Sequence, residues 1–283
     1  MSFLRLAVAA AIACGFSALA SAHGAADIPD EGLYAAFLST NAATRRAWMD
    51  DAETRGRMIL FGTPPRGAPE TGVPQWYAAD GIDNLRDLGG WAGLGGRRIR
   101  KGMILRCGYL EKTRDKAAFR RRFGVKTDLD LRDVNKMTHL KGKSPLGSEV
   151  ELVIDRSAPA YADCDTKKGR EYFRKTFVLL CNRERYPIVM HCHKGADRTG
   201  SLAFLLQGLL GADAEDQRID WQLTAFMYDN PKFRDADRYD KLEEMISSRD
   251  GVTWTDKFVA FAHDCGITDE QIAAFREIML ESE

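Results

Sequence analysis

Neither sign of charge dominates this sequence. Lysine plus arginine number 41 and aspartate plus glutamate number 41, so the chain of 283 residues is formally neutral with histidine uncharged. The positive excess that marks a nucleic-acid-binding domain is missing, and no nucleic-acid partner is expected. Histidine is scarce, at five residues. His191 and His193 flank Cys192, yet no other histidine or cysteine stands at ligand spacing nearby, and zinc needs three or four convergent ligands. No metal and no cofactor are therefore expected. Repeats and low-complexity tracts are absent. After residue 22 no apolar run approaches the roughly 20 residues of a membrane-spanning helix. An apolar fraction of 45% with 10% aromatics excludes a disordered chain and leaves a globular one.

The one long apolar stretch is at the start. Met1 to Arg5 carries a single positive charge, Leu6 to Ala20 is apolar and alanine-rich, and Ala20-Ser21-Ala22 is an A-x-A cleavage site. Residues 1–22 read as a signal peptide whose removal leaves His23 first, which implies a periplasmic or secreted protein. An uncleaved anchor helix and a lipoprotein at Cys14 are the alternatives. Loss of Cys14 leaves Cys107, Cys164, Cys181, Cys192 and Cys265. In an oxidising compartment this odd count fits one free thiol, Cys192, and up to two disulfides. The other four can equally be buried, unpaired small hydrophobes.

Residues 23–80 read as an N-terminal helical arm packed on the main domain. Tyr34, Phe37, Leu38 and Trp48 form its apolar stripe, and Gly62 to Pro69 is a loop. Residues 81–283 read as the main domain. Strands are expected over residues 103–107, 126–133, 150–154 and 187–190. Helices are expected over the basic stretch 112–123, over 170–185 with Tyr172, Phe173, Phe177, Leu179 and Leu180 buried, and over 201–210, which is apolar nearly all round. The paired Gly89 and Gly90 suggest a hairpin turn or a close backbone approach. The chain is helical thereafter, and Thr268-Asp269-Glu270-Gln271 is a capping box opening the last helix. Strands alternating with helices indicate an α/β fold: a central, mainly parallel sheet flanked by helices, with a helical C-terminal part.

The chemistry concentrates in residues 187–200, PIVMHCHKGADRTG. A buried strand (Pro187 to Met190) runs into a tight loop and then the N-terminus of the apolar helix. Free backbone N–H groups and the positive helix end make such a loop an anion site. A cysteine there loses its proton easily, and an arginine at the lip can fork onto two phosphate oxygens. A cysteine followed by five residues and an arginine is weak on its own, because Cys164 to Arg170 has the same spacing. That copy lacks a preceding apolar strand and a following threonine or serine, and reads as accidental.

The loop HCHKGADRTG resembles the signature loop of cysteine-based protein tyrosine phosphatases. It is most similar to the bacterial tyrosine/dual-specificity branch, whose loop ends in Asp-Arg-Thr-Gly. The stretches NLRDLGGW (Asn84 to Trp91), ILRCGYL and DLDLRD resemble other landmarks of that branch, in order, so the resemblance spans roughly residues 81–283. Myotubularin- and Sac-type lipid phosphatases also carry Asp-Arg-Thr. The branch often has lysine just before the aspartate; here that position is Ala196, and a lysine sits earlier, at Lys194.

The resemblance implies a protein-tyrosine-phosphatase-like fold and hydrolysis of phosphomonoesters through a phosphocysteine. Cys192 is then the nucleophile and Arg198 the group that stabilises the equatorial oxygens. His193, Lys194, Gly195, Ala196, Thr199 and Gly200 complete the phosphate-binding loop, with Thr199 placed to hydrogen-bond the thiolate. His191, on the strand, can order the loop. The leaving group needs a general acid. Asp197 is the first candidate, Asp163 and Asp165 are its rivals, and Asp130 and Asp133 are weaker ones, expected instead to orient Arg198 or Lys194. Arg132 reads as structural. The expected partner is a phosphorylated protein or a small phosphorylated substrate. His193, Lys194 and the Arg120-Arg121-Arg122 run would suit an inositol phosphate or phosphoinositide, although solvation explains those charges as well. A non-catalytic phosphate-binding module and a sulfur-transfer or arsenate-reducing enzyme are the remaining alternatives.

Overall fold

The computed structural model describes residues 36–37, 40–51, 54, 77, 81–224 and 236–282. The expected signal peptide, Tyr34, Leu38 and the Gly62 to Pro69 loop lie outside them. The chain divides into two compact units, Met1–Ala68 with Ala225–Arg234, and Pro69–Thr224 with Asp235–Glu283. In the first unit, helix α1 (Ala42–Asp50) is capped by Asn41, whose side chain accepts from the Thr44 N–H. Phe37 and Trp48 of the expected stripe are buried, as is Arg45, which donates to the Thr40 carbonyl.

The second unit is built on five strands: β1 (Arg86–Asp87), β2 (Ile104–Cys107), β3 (Thr127–Asp130), β4 (Glu151–Ile154) and β5 (Ile188–His191). Their spatial order is β1-β2-β5-β3-β4. Only β1 runs antiparallel; β5 lies between β2 and β3 and is parallel to both. A strand with neighbours on both edges and cover on both faces has no polar side to show. That is why Ile188, Val189 and Met190 form a continuous apolar run rather than an alternating one. Cys107, Asp130 and His191 stand level at the carboxyl ends of β2, β3 and β5. The loop leaving β5 opens there, on the side where parallel sheets bind ligands.

The helices are α2 (Lys116–Phe123), α3 (Lys167–Leu180), α4 (Asp197–Leu209), α5 (Ala214–Leu223), α6 (Ala236–Ser247), α7 (Trp254–Asp264) and α8 (Asp269–Met279). Phe119 of α2 joins Leu105, Cys107, Val189, Leu110, Leu146 and Val150 in a core against one face of the sheet. Elsewhere aromatic pairs knit helix to helix: Phe173 with Phe261, Phe177 with Phe275, and Phe204 with Phe258, with ring centroids 5.7, 5.0 and 5.1 Å apart. From Thr199 onward every residue of α4 is buried, so the all-round apolar pattern marks a central helix.

Local caps explain where element boundaries differ from expectation. Asp115 accepts from Ala118 N–H and starts α2 four residues later than the sequence suggested. Thr166 accepts from Gly169 N–H and starts α3 earlier, at Lys167, while Asn182 caps a separate turn (Arg183–Arg185) after it. In α3, Phe173, Phe177 and Leu180 are buried and Tyr172 and Leu179 are half-buried. Strand β3 stops at Asp130, because that side chain accepts from the Arg132 N–H at 2.9 Å and turns the chain out of the sheet. The capping box at Thr268 and Gln271 forms as expected. Gly89 marks a close backbone approach, since a Cβ there would stand 2.3 Å from the Arg100 carbonyl oxygen.

Gly208 in α4 faces the Phe258 ring, which a Cβ would meet at 2.3 Å. Alanine normally gains up to ~1 kcal/mol over glycine in a helix interior, but overpacking costs roughly 1–3 kcal/mol. Gly208→Ala is therefore expected to lower the midpoint of denaturant unfolding. A raised midpoint would show that α4 and α7 are not packed this closely.

Candidate active site

Cys192 directly follows β5 and is buried. Two residues of the loop after it depend on small size or backbone freedom. Gly195 has φ +65°, and a Cβ there would lie 2.5 Å from the Cys107 carbonyl group, so only glycine fits. Ala196 is the N-cap of α4 and makes no side-chain capping bond. By contrast, α1, α2, α3, α5, α7 and α8 are all closed by an Asn, Asp or Thr side chain. Ala196 thus leaves the amino end of α4 without a side-chain acceptor, available to an external anion.

The thiols differ according to their surroundings. Burial alone would raise the Cys192 pKa. The Thr199 hydroxyl and N–H, the Arg198 charge and the Lys194 N–H outweigh it and bring the thiol below its ordinary value. The Thr199 hydroxyl is buried and has no other hydrogen-bond partner, as suits a group reserved for the sulfur. Cys164, the decoy with the same spacing to an arginine, is pushed up to about 12 by burial and then by Asp163, Cys265 and Asp165. Its arginine, Arg170, is tied to Asp165 at 3.0 Å. Burial also raises Cys107, Cys181 and Cys265. All five described cysteines are unpaired, four of them buried and Cys181 half-buried, which fits the unpaired alternative and not disulfides among the other four.

His191 lies beneath the nucleophile, fully buried. Its Nε2 stands 2.9 Å from Asp128 Oδ1 and its Nδ1 3.3 Å from the Cys192 carbonyl oxygen. Burial would lower its pKa, but Asp128 and then Asp130 overcome that and raise it to about 9. As imidazolium, both ring nitrogens donate, and one holds the backbone of Cys192. His193, in contrast, is exposed, 6.2 Å edge-on to Tyr109. The two histidines occupy different environments and do not converge.

A second buried group holds the loop from the other side. Asp220 of α5 pairs with Arg86 at 3.0 Å and with Arg106. Arg106 then donates to the Gly195 carbonyl at 3.1 Å, and Asn84 Nδ2 donates to the carbonyls of Lys194 and Gly195, both at 3.1 Å. Arg86 also donates to Asn84 Oδ1 and, at 3.2 Å, to the Thr224 hydroxyl. Burial and then the neighbouring Arg86 push Arg106 down to about 9, against the pull of Asp220. Gly200, at the first turn of α4, admits Trp221 of α5 alongside: a Cβ would meet that ring at 2.8 Å.

The sequence candidates separate clearly. Arg198 is half-buried at the loop's lip, with Ser157 Oγ at 3.2 Å, and no described carboxylate pairs with it. Asp130 and Asp133 do not orient it, contrary to expectation. Asp130 grips Arg132 at 2.7 Å, and Asp133 caps the turn Val134–Lys136. Arg132 is structural as read, buried between Asp130 and Glu111. Asp197, the first residue of α4, accepts a hydrogen bond from the Tyr161 hydroxyl and stands 3.6 Å from Arg238. Of its rivals, Asp163 is exposed, and Asp165 is held by Arg170 and Arg249. Asp220, Tyr161 and Arg238 carried no motif and were missed. A charged residue inside the apolar strand ILRC was the available sign that Arg106 needed a buried partner.

A profile of the tyrosine phosphatase family matches residues 77–281. The chain belongs to the tyrosine phosphatase family. A relative in Cupriavidus necator, named "Putative tyrosine-protein phosphatase", is 28% identical over 172 aligned residues, covering 49% of this chain and 59% of that protein. The match thus spans less than two thirds of the relative's length.

Two outcomes follow from the buried charges of this phosphatase-family loop. Asp220→Ala would leave Arg86 and Arg106 buried without their carboxylate, so unfolding free energy should drop by roughly 3–5 kcal/mol. A drop below about 1 kcal/mol in a denaturant titration would show the pair to be incidental. The folded pKa of His191, about 9, lies above its ordinary 6.5. Its ionic contribution is therefore complete below pH 6.5 and is lost as pH rises through about 9. The stability gap between the native protein and His191→Gln should narrow by a few kcal/mol between about pH 6 and pH 10; a constant gap would mean that His191 is neutral throughout.

Proposed function

We propose that this protein is a cysteine-dependent phosphatase that hydrolyses phosphomonoesters of the tyrosine or dual-specificity type through a phosphocysteine. The observation that carries this reading is the joint environment of Cys192 and Arg198. A thiol with lowered pKa lies at the uncapped amino end of α4, beside an arginine that has no carboxylate partner among the described residues. Both features suit a bound phosphate and neither stabilises the empty loop.

In the first step the Cys192 thiolate attacks phosphorus, the S–P bond forms and the ester P–O bond breaks. Loop N–H groups and Arg198 stabilise charge on the equatorial oxygens. Asp197 gives its proton to the leaving oxygen. In the second step Asp197 takes a proton from water, water attacks phosphorus, and the thiolate departs with help from the Thr199 hydroxyl. Partial desolvation, then Arg198 and Arg132, lower the His193 pKa, which disfavours its cationic form. That weakens the case for a polyphosphorylated substrate and favours a phosphotyrosine-type one, with Tyr109 and His193 as an aromatic wall. Lys194 alone is the exposed loop cation that would support a phosphoinositide. On the strength of residues 1–22, the mature chain is proposed to be periplasmic or secreted, beginning at His23.

Cys192→Ser is expected to abolish phosphate release from p-nitrophenyl phosphate, and the native enzyme quenched in acid during turnover should hold a phosphate on Cys192, visible by mass spectrometry. Surviving turnover in the serine variant would refute the proposal. A panel of phosphotyrosine peptides, phosphoserine peptides, phosphoinositides and inositol phosphates, compared by kcat/KM, is expected to rank the phosphotyrosine peptides first.

A further inference from the structure

In the segment preceding α3, Ser157 meets Arg198, and Tyr161 reaches the other side chain at the start of α4, Asp197, from a strained backbone. The Tyr161 φ is +56°, a left-handed conformation that is unfavourable for a bulky residue and persists only where surrounding contacts impose it. Those contacts form a closed ring. The Tyr161 N–H donates to Ser201 Oγ at 2.9 Å, and the buried Ser201 hydroxyl donates to the Asp197 carbonyl at 2.9 Å. The phenol of Tyr161 returns to Asp197, donating to Oδ1. Arg238 of α6 closes the group, donating to the Tyr161 hydroxyl at 3.1 Å, standing 3.6 Å from the same Oδ1 and covering the Tyr161 ring at 5.4 Å.

Both side chains engage the same carboxylate oxygen. Among the described residues, no hydrogen bond or ion pair falls on Oδ2 of Asp197. We infer that Tyr161 and Arg238 are positioning residues that clamp Asp197 through Oδ1, so that Oδ2 is the oxygen that carries the proton. As the P–O bond breaks and its electron pair moves to the leaving oxygen, the proton on Oδ2 passes to that oxygen; in the second step Oδ2 takes one back from water. A carboxyl free to rotate would spend much of its time with the proton misdirected, and misplacement by about 1 Å can cost a factor of ~100. This inference rests on the assignment of Asp197 as general acid.

A leaving-group series tests it. A poor leaving group, phenoxide from phenyl phosphate, needs the proton; a good one, p-nitrophenoxide, needs it far less. Because hydrolysis of the phosphocysteine also uses Asp197 and is common to all substrates, the comparison is made in kcat/KM, which covers only the steps through P–O cleavage. Tyr161→Phe and Arg238→Gln are each expected to lower kcat/KM on phenyl phosphate by roughly tenfold or more, while kcat/KM on p-nitrophenyl phosphate stays within about twofold. Asp197→Asn should show the same split, larger. Equal losses on both substrates in both positioning variants would mean a merely structural role, and unchanged rates would mean no clamp; either overturns the inference. If Asp197→Asn shows the split and the other two variants do not, the clamp alone is wrong. If Asp197→Asn shows no split, the assignment of the acid fails and the clamp with it. Arg238 lies half-exposed on α6, so its variant keeps the test open should Tyr161→Phe fail to fold.

Discussion

The hydrogen bonds that pull the carbonyls of Lys194 and Gly195 toward Asn84 and Arg106 are what make the loop an anion site. A peptide group has a donor at one end and an acceptor at the other. A loop can present N–H groups to phosphate only if its carbonyls are committed elsewhere. Here they are committed to buried cations, and the cations are there because Asp220 neutralises them. The His191 imidazolium takes the Cys192 carbonyl in the same way. The loop is thus held from beneath on both sides before any substrate arrives. Such preorganised dipoles stabilise a transition state without reorganising during the reaction.

This arrangement is costly. Two buried guanidinium groups share a single carboxylate on one side, and on the other the buried His191 and Arg132 depend on Asp128 and Asp130. Apolar side chains of similar volume would often fold as well or better. The charges make sense as a device that fixes one loop conformation and adds positive potential below a thiolate. Cys192 shows the result: it is as buried as Cys164, yet its pKa moves the opposite way.

The sheet, the central strand and the buried helix were legible in the sequence because each has a periodicity that burial imposes: β5 is apolar throughout, and α4 is apolar all round. The candidate nucleophile stood out because the strand, glycine and threonine around Cys192 are contiguous, while the decoy at Cys164 lacked them. The supporting groups were not legible, since they come from distant segments and obey no local period. Nothing about Asp220 in an otherwise ordinary helix indicates that it serves Arg86 and Arg106, more than a hundred residues earlier. Asp130 shows the converse failure. Its place at the end of a strand beside the site suggested Arg198 as a partner, but Arg132, two residues on, is close enough to bind first.

The same locality argument bears on Asp197. Proximity in sequence made it the leading acid, but proximity alone does not orient a carboxyl at the first turn of a helix, where side chains usually face solvent and the backbone N–H groups. Asp163 and Asp165 were rivals because they occupy the polar loop one helix before the central strand; that loop does meet the start of α4, but through Ser157 on Arg198 and through Tyr161, whose strained backbone turns its phenol onto Asp197. A segment that would supply an acid of its own need not hold another one. Here the segment supplies a donor, and Asp165 is withdrawn into ion pairs with Arg170 and Arg249. On the proposed mechanism the labour is divided between the loop, which would carry the nucleophile and the acid together, and the neighbouring segment, which would orient the acid. On that proposal, changes at Tyr161 act through proton delivery, whereas changes at Ser157, which meets Arg198, act through phosphate binding.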